Sequence, residues 1–96
     1  MSQFLITYDN HPPRSYAALY ALMAQWHAVR IGESVWLANL VGPANVIRDF
    51  VKGTLQFNDA VAVLEIKEGS DWATSNVTPA ASAWLSAYVT PAQVAA

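Results

Sequence analysis

Two strand-helix-strand units follow one another along this chain, and that order limits its fold more than any other feature. Residues 3–8 are mostly apolar or β-favouring and run into Asp9-Asn10-His11-Pro12-Pro13, where two prolines and an Asx residue force the chain out of a strand. Ser15 is placed to cap the next segment, and Tyr16, Leu19, Tyr20, Met23 and Trp26 recur at helical spacing as one apolar stripe. Residues 28–31 and 34–40 read as strands around Gly32-Glu33, either a hairpin or one strand bent at the glycine. Gly42-Pro43 opens a second helix whose expected buried face is Val46, Ile47, Phe50 and Val51, and Gly53 stops it. The run Ala60-Val61-Ala62-Val63-Leu64, apolar at every position, predicts a last strand covered on both faces. After a polar stretch over 68–77, Thr78-Pro79 caps a short helix carrying Ala81, Trp84, Leu85 and Tyr88.

This pattern predicts an α+β chain with a ferredoxin-like βαββαβ order, an antiparallel sheet with helices on one face, and an extra C-terminal helix. A chain of 96 residues has room for one core, so residues 1–89 are expected to form a single domain and residues 90–96 a flexible Ala-rich tail. With 54% hydrophobic and only 12% charged residues, the surface is expected to keep apolar area that a second copy covers. A homodimer that stacks the open sheet faces or joins edge strands would do this. No stretch approaches the roughly 18 apolar residues of a spanning helix, and Met1-Ser2-Gln3 does not begin a secretory signal. The expectation is a cytoplasmic protein without a membrane partner.

Cysteine is absent, which excludes disulfides, thiolate metal sites and cysteine nucleophiles, and two histidines alone give no zinc motif. Seven acidic residues against five basic ones leave no general positive field for phosphate backbones. A nucleic-acid role would need a local patch drawn from Arg14, Arg30, Arg48 and Lys52. Asp9 is either a ligand or a turn residue accepting backbone hydrogens, and His11 is either an acid-base group or a solvated loop residue. His27 ends the first helix and reads as structural there. Tyr8, Tyr16, Trp26 and Trp36 are able to stack bases, but their spacing is that of core residues. Glycine-rich phosphate loops, a G-x-S-x-G elbow and carboxylates paired closely in sequence are all missing.

A strand ending in Tyr8-Asp9, then a helix, then Ser34-Val35-Trp36 at the second strand pair resembles the small CRISPR-associated Cas-two family and its SinR-like and VapD-like relatives. The resemblance covers roughly residues 3–66, and Asn58-Asp59 with the Asp71-Trp72 loop and Trp84-Leu85 bring it nearer to the SinR-like branch. It implies a ferredoxin-like homodimer in which Asp9 meets its symmetry mate and the pair holds Mg2+, which polarises a phosphate and activates water. Asp9 is then the metal ligand and a catalytic residue of a divalent-metal-dependent endonuclease acting on RNA or DNA, with His11 as a second catalytic candidate. Ser34 matches the family's serine, which implies a bond either to a phosphate or to a neighbouring backbone group, and Arg14 is the other candidate for phosphate contact. Family members carry several basic residues at the start of the first helix, where this chain has Arg14 alone. The family also includes structural subunits, so a non-catalytic dimeric scaffold or protein-interaction module stands as the alternative.

Overall fold

The computed structural model describes residues 1–9, 11 and 15–89. Its elements are β1 (Ser2–Tyr8), α1 (Ala17–Gln25), β2 (Val29–Gly32), β3 (Val35–Leu40), α2 (Ala44–Lys52), β4 (Val61–Ile66) and α3 (Pro79–Tyr88). Among the described residues the chain is α+β, with three helices and one four-stranded sheet in the order β2-β3-β1-β4. Every neighbouring pair of strands is antiparallel. The choice left open around Gly32 is resolved as two strands turning at Glu33-Ser34, with a register shift between Arg30 and Gly32.

β1 lies inside the sheet, so its alternating side chains feed two cores. Phe4, Ile6 and Tyr8 point into the first, with Ala38 and Leu40 of β3, Tyr16, Leu19 and Met23 from the first helical segment, and Ile47 and Val51 of α2. Leu5 belongs to the second, built around Leu37, Trp84, Leu85 and Val89 with Val29, Ile31, Ile66 and Trp72. The expectation of one bare sheet face is therefore corrected. α3 packs on the far side, and the indole N–H of Trp72 donates to the Val89 carbonyl, fastening the connecting loop to the helix end.

β4 also departs from expectation. It is an edge strand, and Ala62, Leu64 and Glu65 are exposed, so its apolar run does not mark burial on both faces. The run is half used: Val61 and Val63 pack partly against the first core, while Leu64 on the other face stays 53% exposed because α3 sits towards β2. On α2 only Ile47 and Val51 are buried. Val46 and Phe50 precede each of these by one position, about 100° around the helix, and are exposed; Phe50 meets the edge of Trp26 at 6.2 Å.

The ends of the helices follow local chemistry. Thr78 Oγ1 accepts from the Ala81 N–H at 3.2 Å with Pro79 in the first turn, as the sequence indicates. Ser15 does less than expected, because Tyr16 occupies the cap position of α1 and Ser15 Oγ accepts only a long 3.4 Å bond from the Ala17 N–H. His27 adopts a left-handed φ of 55°, and bonds from His27 N–H to Ala24 and from Ala28 N–H to Met23 close the helix and turn the chain into β2. That fits its structural reading. No described helix is long and apolar enough to cross a membrane. The tail and Asn10, Pro12, Pro13 and Arg14 lie outside the described residues.

The two faces of the sheet predict opposite responses to truncation. Phe4→Ala, at a site 2% exposed, is expected to cost about 3–5 kcal/mol. Leu64→Ala is expected to stay within about 0.5 kcal/mol. Urea unfolding of both variants checks the assignment.

Candidate functional site

Asp9 is the first residue beyond β1, and its backbone N–H donates to the Ala60 carbonyl at 3.1 Å. Its carboxylate Oδ2 accepts the Ala60 N–H, also at 3.1 Å, in the place that a backbone carbonyl takes where a ladder continues. The Asp9 carbonyl turns away and accepts from the Tyr16 hydroxyl at 3.2 Å. The same Tyr16 oxygen accepts the His11 N–H at 2.7 Å. A tyrosine rooted in the core thus holds both ends of the tripeptide that carries Asp9 and His11.

The turn before β4 supplies a third group. Asp59 Oδ2 accepts the Gln56 N–H at 3.0 Å and the Asp59 N–H donates to the Gln56 carbonyl at 3.0 Å, a local Asx-type closure. This turn lays the Asp59 side chain, 3% exposed, beneath His11, whose Nε2 is 3.7 Å from Asp59 Oδ1 and 3.6 Å from Asp9 Oδ2. Asp9 and His11 are half exposed at 46% and 53%. Ligand atoms from all three residues lie within 4.8 Å of one another. Beside them, Thr7, Tyr8, Asp9, Ala60, Val61 and Ala62 line a depression of about 180 Å³.

Of the residues expected at the site, Asp9 and His11 are brought together. Ser34 lies at the same end of the sheet but on the other flank of β1, where its carbonyl accepts the Tyr8 N–H at 3.3 Å. Arg14 is outside the described residues. Asp59 lies outside the expected ligand set, since a lone acidic residue in an Asn-Asp turn reads as punctuation; the antiparallel pairing of β1 with β4 is what delivers it to Asp9.

Several cations are engaged elsewhere. Arg30 lies over the rings of Tyr20 and Trp36, 5.2 and 5.4 Å from their centroids, and donates to the carbonyls of Gly32 and Glu33. Arg48 pairs with Asp49 at 2.9 Å, and Lys67 with Glu65 at 3.2 Å. The aromatic residues take their core reading. Tyr8 and Tyr16 are buried with centroids 5.8 Å apart, Trp26 packs against the first core, and the Trp36 indole N–H donates to the Tyr8 hydroxyl at 3.1 Å. Burial raises the pKa of Tyr8 above its ordinary value near 10, against the opposing pull of the Trp36 hydrogen bond.

Compared with family models, with curated proteins and with solved structures, the chain shows no match.

Two measurements test this geometry. Tyr16→Phe removes the hydroxyl that joins Asp9 to His11 and is expected to cost about 1–2 kcal/mol, with faster amide exchange at His11. For Tyr8 the folded chain holds its proton more tightly than the unfolded chain, so that contribution is complete below the ordinary tyrosine pKa and is lost as pH rises through the raised value. Stability is therefore expected to fall as pH rises from the ordinary tyrosine pKa through the raised one, and to fall less in Tyr8→Phe, as read from urea midpoints.

Proposed function

We propose that this chain is a Cas-two-like homodimer of ferredoxin-like fold that hydrolyses phosphodiester bonds in RNA or DNA with a divalent cation held at Asp9. The fold reading is supported by the strand order and by the connections: a helix joins β1 to β2 and another joins β3 to β4, while β1 sits between the two antiparallel partners that a split βαβ arrangement requires. The observation that carries the site is the Asp9 carboxylate, half exposed at the exit of an internal strand, with one oxygen fixed by the Ala60 N–H and a second carboxylate and an imidazole beside it.

The donor set fits a dication. Carboxylate oxygens suit Mg2+, which keeps most of its remaining positions for water and phosphate. When bound, such a cation polarises a phosphate oxygen and makes a water more acidic. The chain's own contribution is to hold the Asp9 carboxylate in place through Ala60, to keep the Asp9–His11 segment anchored on Tyr16, and to leave the depression beside Asp9 open to a phosphate. In this reading Ser34 and Arg14 contact the phosphate, and the homodimer brings two copies of the site together.

A second reading, a non-catalytic dimeric scaffold or protein-interaction module, draws on a different observation. Arg30, Arg48 and Lys67 are bound to their own neighbours, while Phe57 and Leu64 are exposed at 91% and 53%. Short RNA and DNA incubated with the protein in Mg2+ separate the two. Cleavage that falls about a hundredfold or more in Asp9→Ala supports the hydrolase. Equal cleavage by both proteins, or none by either, removes it. Binding of nucleic acid that weakens steeply with salt counts against the interaction module, because phosphate contacts release counterions.

A further inference from the structure

The Asp9, His11 and Asp59 side chains converge from two segments that meet only through the β1–β4 pairing, and all three come from one chain. The separations of 3.6 and 3.7 Å from His11 Nε2 to the carboxylate oxygens are too long for good hydrogen bonds. They are only slightly wider than the spacing of two ligands on one cation, about 3.0 Å for adjacent octahedral positions and about 3.4 Å for tetrahedral ones at metal–ligand bonds of about 2.1 Å. The half-exposed His11 imidazole has room to shift toward the two carboxylates, and ligand atoms of all three residues already lie within 4.8 Å of one another. Asp59 is the fixed point, 3% exposed and tied through its other oxygen to Gln56.

A dication placed between the Asp9 and Asp59 carboxylates is attracted by both. The depression beside Asp9 offers space for the water or anion that would complete the coordination. The third donor is a nitrogen. Mg2+ takes oxygen ligands, whereas imidazole suits borderline transition-metal ions.

We propose that Asp9, His11 and Asp59 form a metal site complete within each chain, and that it takes a borderline divalent transition-metal ion in preference to Mg2+. The proposal rests on the reading of Asp9 as a metal ligand, but it requires neither cleavage nor a shared pair of Asp9 carboxylates. It also gives His11 a ligand's role and makes Asp59 the group that distinguishes this centre from one built across a symmetry axis.

Calorimetric titration of the full chain with Ni2+, alone and in competition with Mg2+, tests it. The expected result is one Ni2+ per chain, bound at least about tenfold more tightly than Mg2+. His11→Ala is expected to weaken Ni2+ about tenfold or more while leaving Mg2+ nearly unchanged, and Asp59→Asn, which keeps the shape of the buried side chain, to weaken both. Urea unfolding of each variant confirms that it is folded. No bound Ni2+, half an ion per chain, equal affinity for the two metals, or a His11→Ala variant with unaltered Ni2+ binding overturns the proposal. The outcome is separable from the hydrolase reading. Ni2+ bound as described without cleavage leaves this site standing alone, and Asp9-dependent cleavage in Mg2+ with His11→Ala indifferent to Ni2+ leaves the hydrolase without it.

Discussion

The exit of β1 is fixed from both sides. Tyr8 donates its backbone N–H to Ser34 on the β3 flank, and Asp9 donates to Ala60 on the β4 flank. Because β1 is an internal strand whose side chains enter both cores, its last residues inherit the rigidity of the whole sheet. A carboxylate placed one residue later therefore has a defined position although it is half exposed. The Asp9 side chain adds to that definition by taking the Ala60 N–H itself, so the group that meets solvent is also the group that ends the ladder.

Tyr16 extends the constraint into the loop. Its ring packs in the first core beside Tyr8, and its hydroxyl reaches out to the Asp9 carbonyl and the His11 N–H. Buried apolar area fixes the ring, and the polar tip transmits that fixity to backbone that has no secondary structure of its own. Tyr8 repeats the device with Trp36, which leaves these aromatic rings committed to holding the sheet end together instead of facing solvent. The same division applies to Arg30, whose guanidinium covers Tyr20 and Trp36 and bonds the β2–β3 turn.

What the sequence made legible was local. The order of strands and helices, the Thr78-Pro79 helix start and the chain exit at Asp9 all follow from residue chemistry within a few positions. What stayed hidden depended on pairing or on layers. Asp59 joins Asp9 only because β4 runs antiparallel to β1 in one particular register, and Asp9 and Ala60 are 51 positions apart. The apolar run of β4 gave no sign that one of its faces would be left bare, because periodicity reports side-chain direction and not what lies opposite. Val46 and Phe50 were misplaced for a related reason: a nine-residue helix has apolar positions enough for more than one face, and the sheet decides which is used. The bond from Trp72 to the carbonyl of Val89 is hidden for the same reason, since it ties a loop residue to the end of α3 across 17 positions.

The distribution of indole side chains over the two layers has a practical consequence. Trp26 and Trp36 pack against the core between the sheet and helices α1 and α2, whereas Trp72 and Trp84 belong to the core beneath α3. Each layer thus carries its own pair of intrinsic fluorophores. Replacing one pair with phenylalanine leaves emission that reports on a single layer, so it becomes a direct optical question whether the C-terminal helix melts with the rest of the molecule or peels away before it.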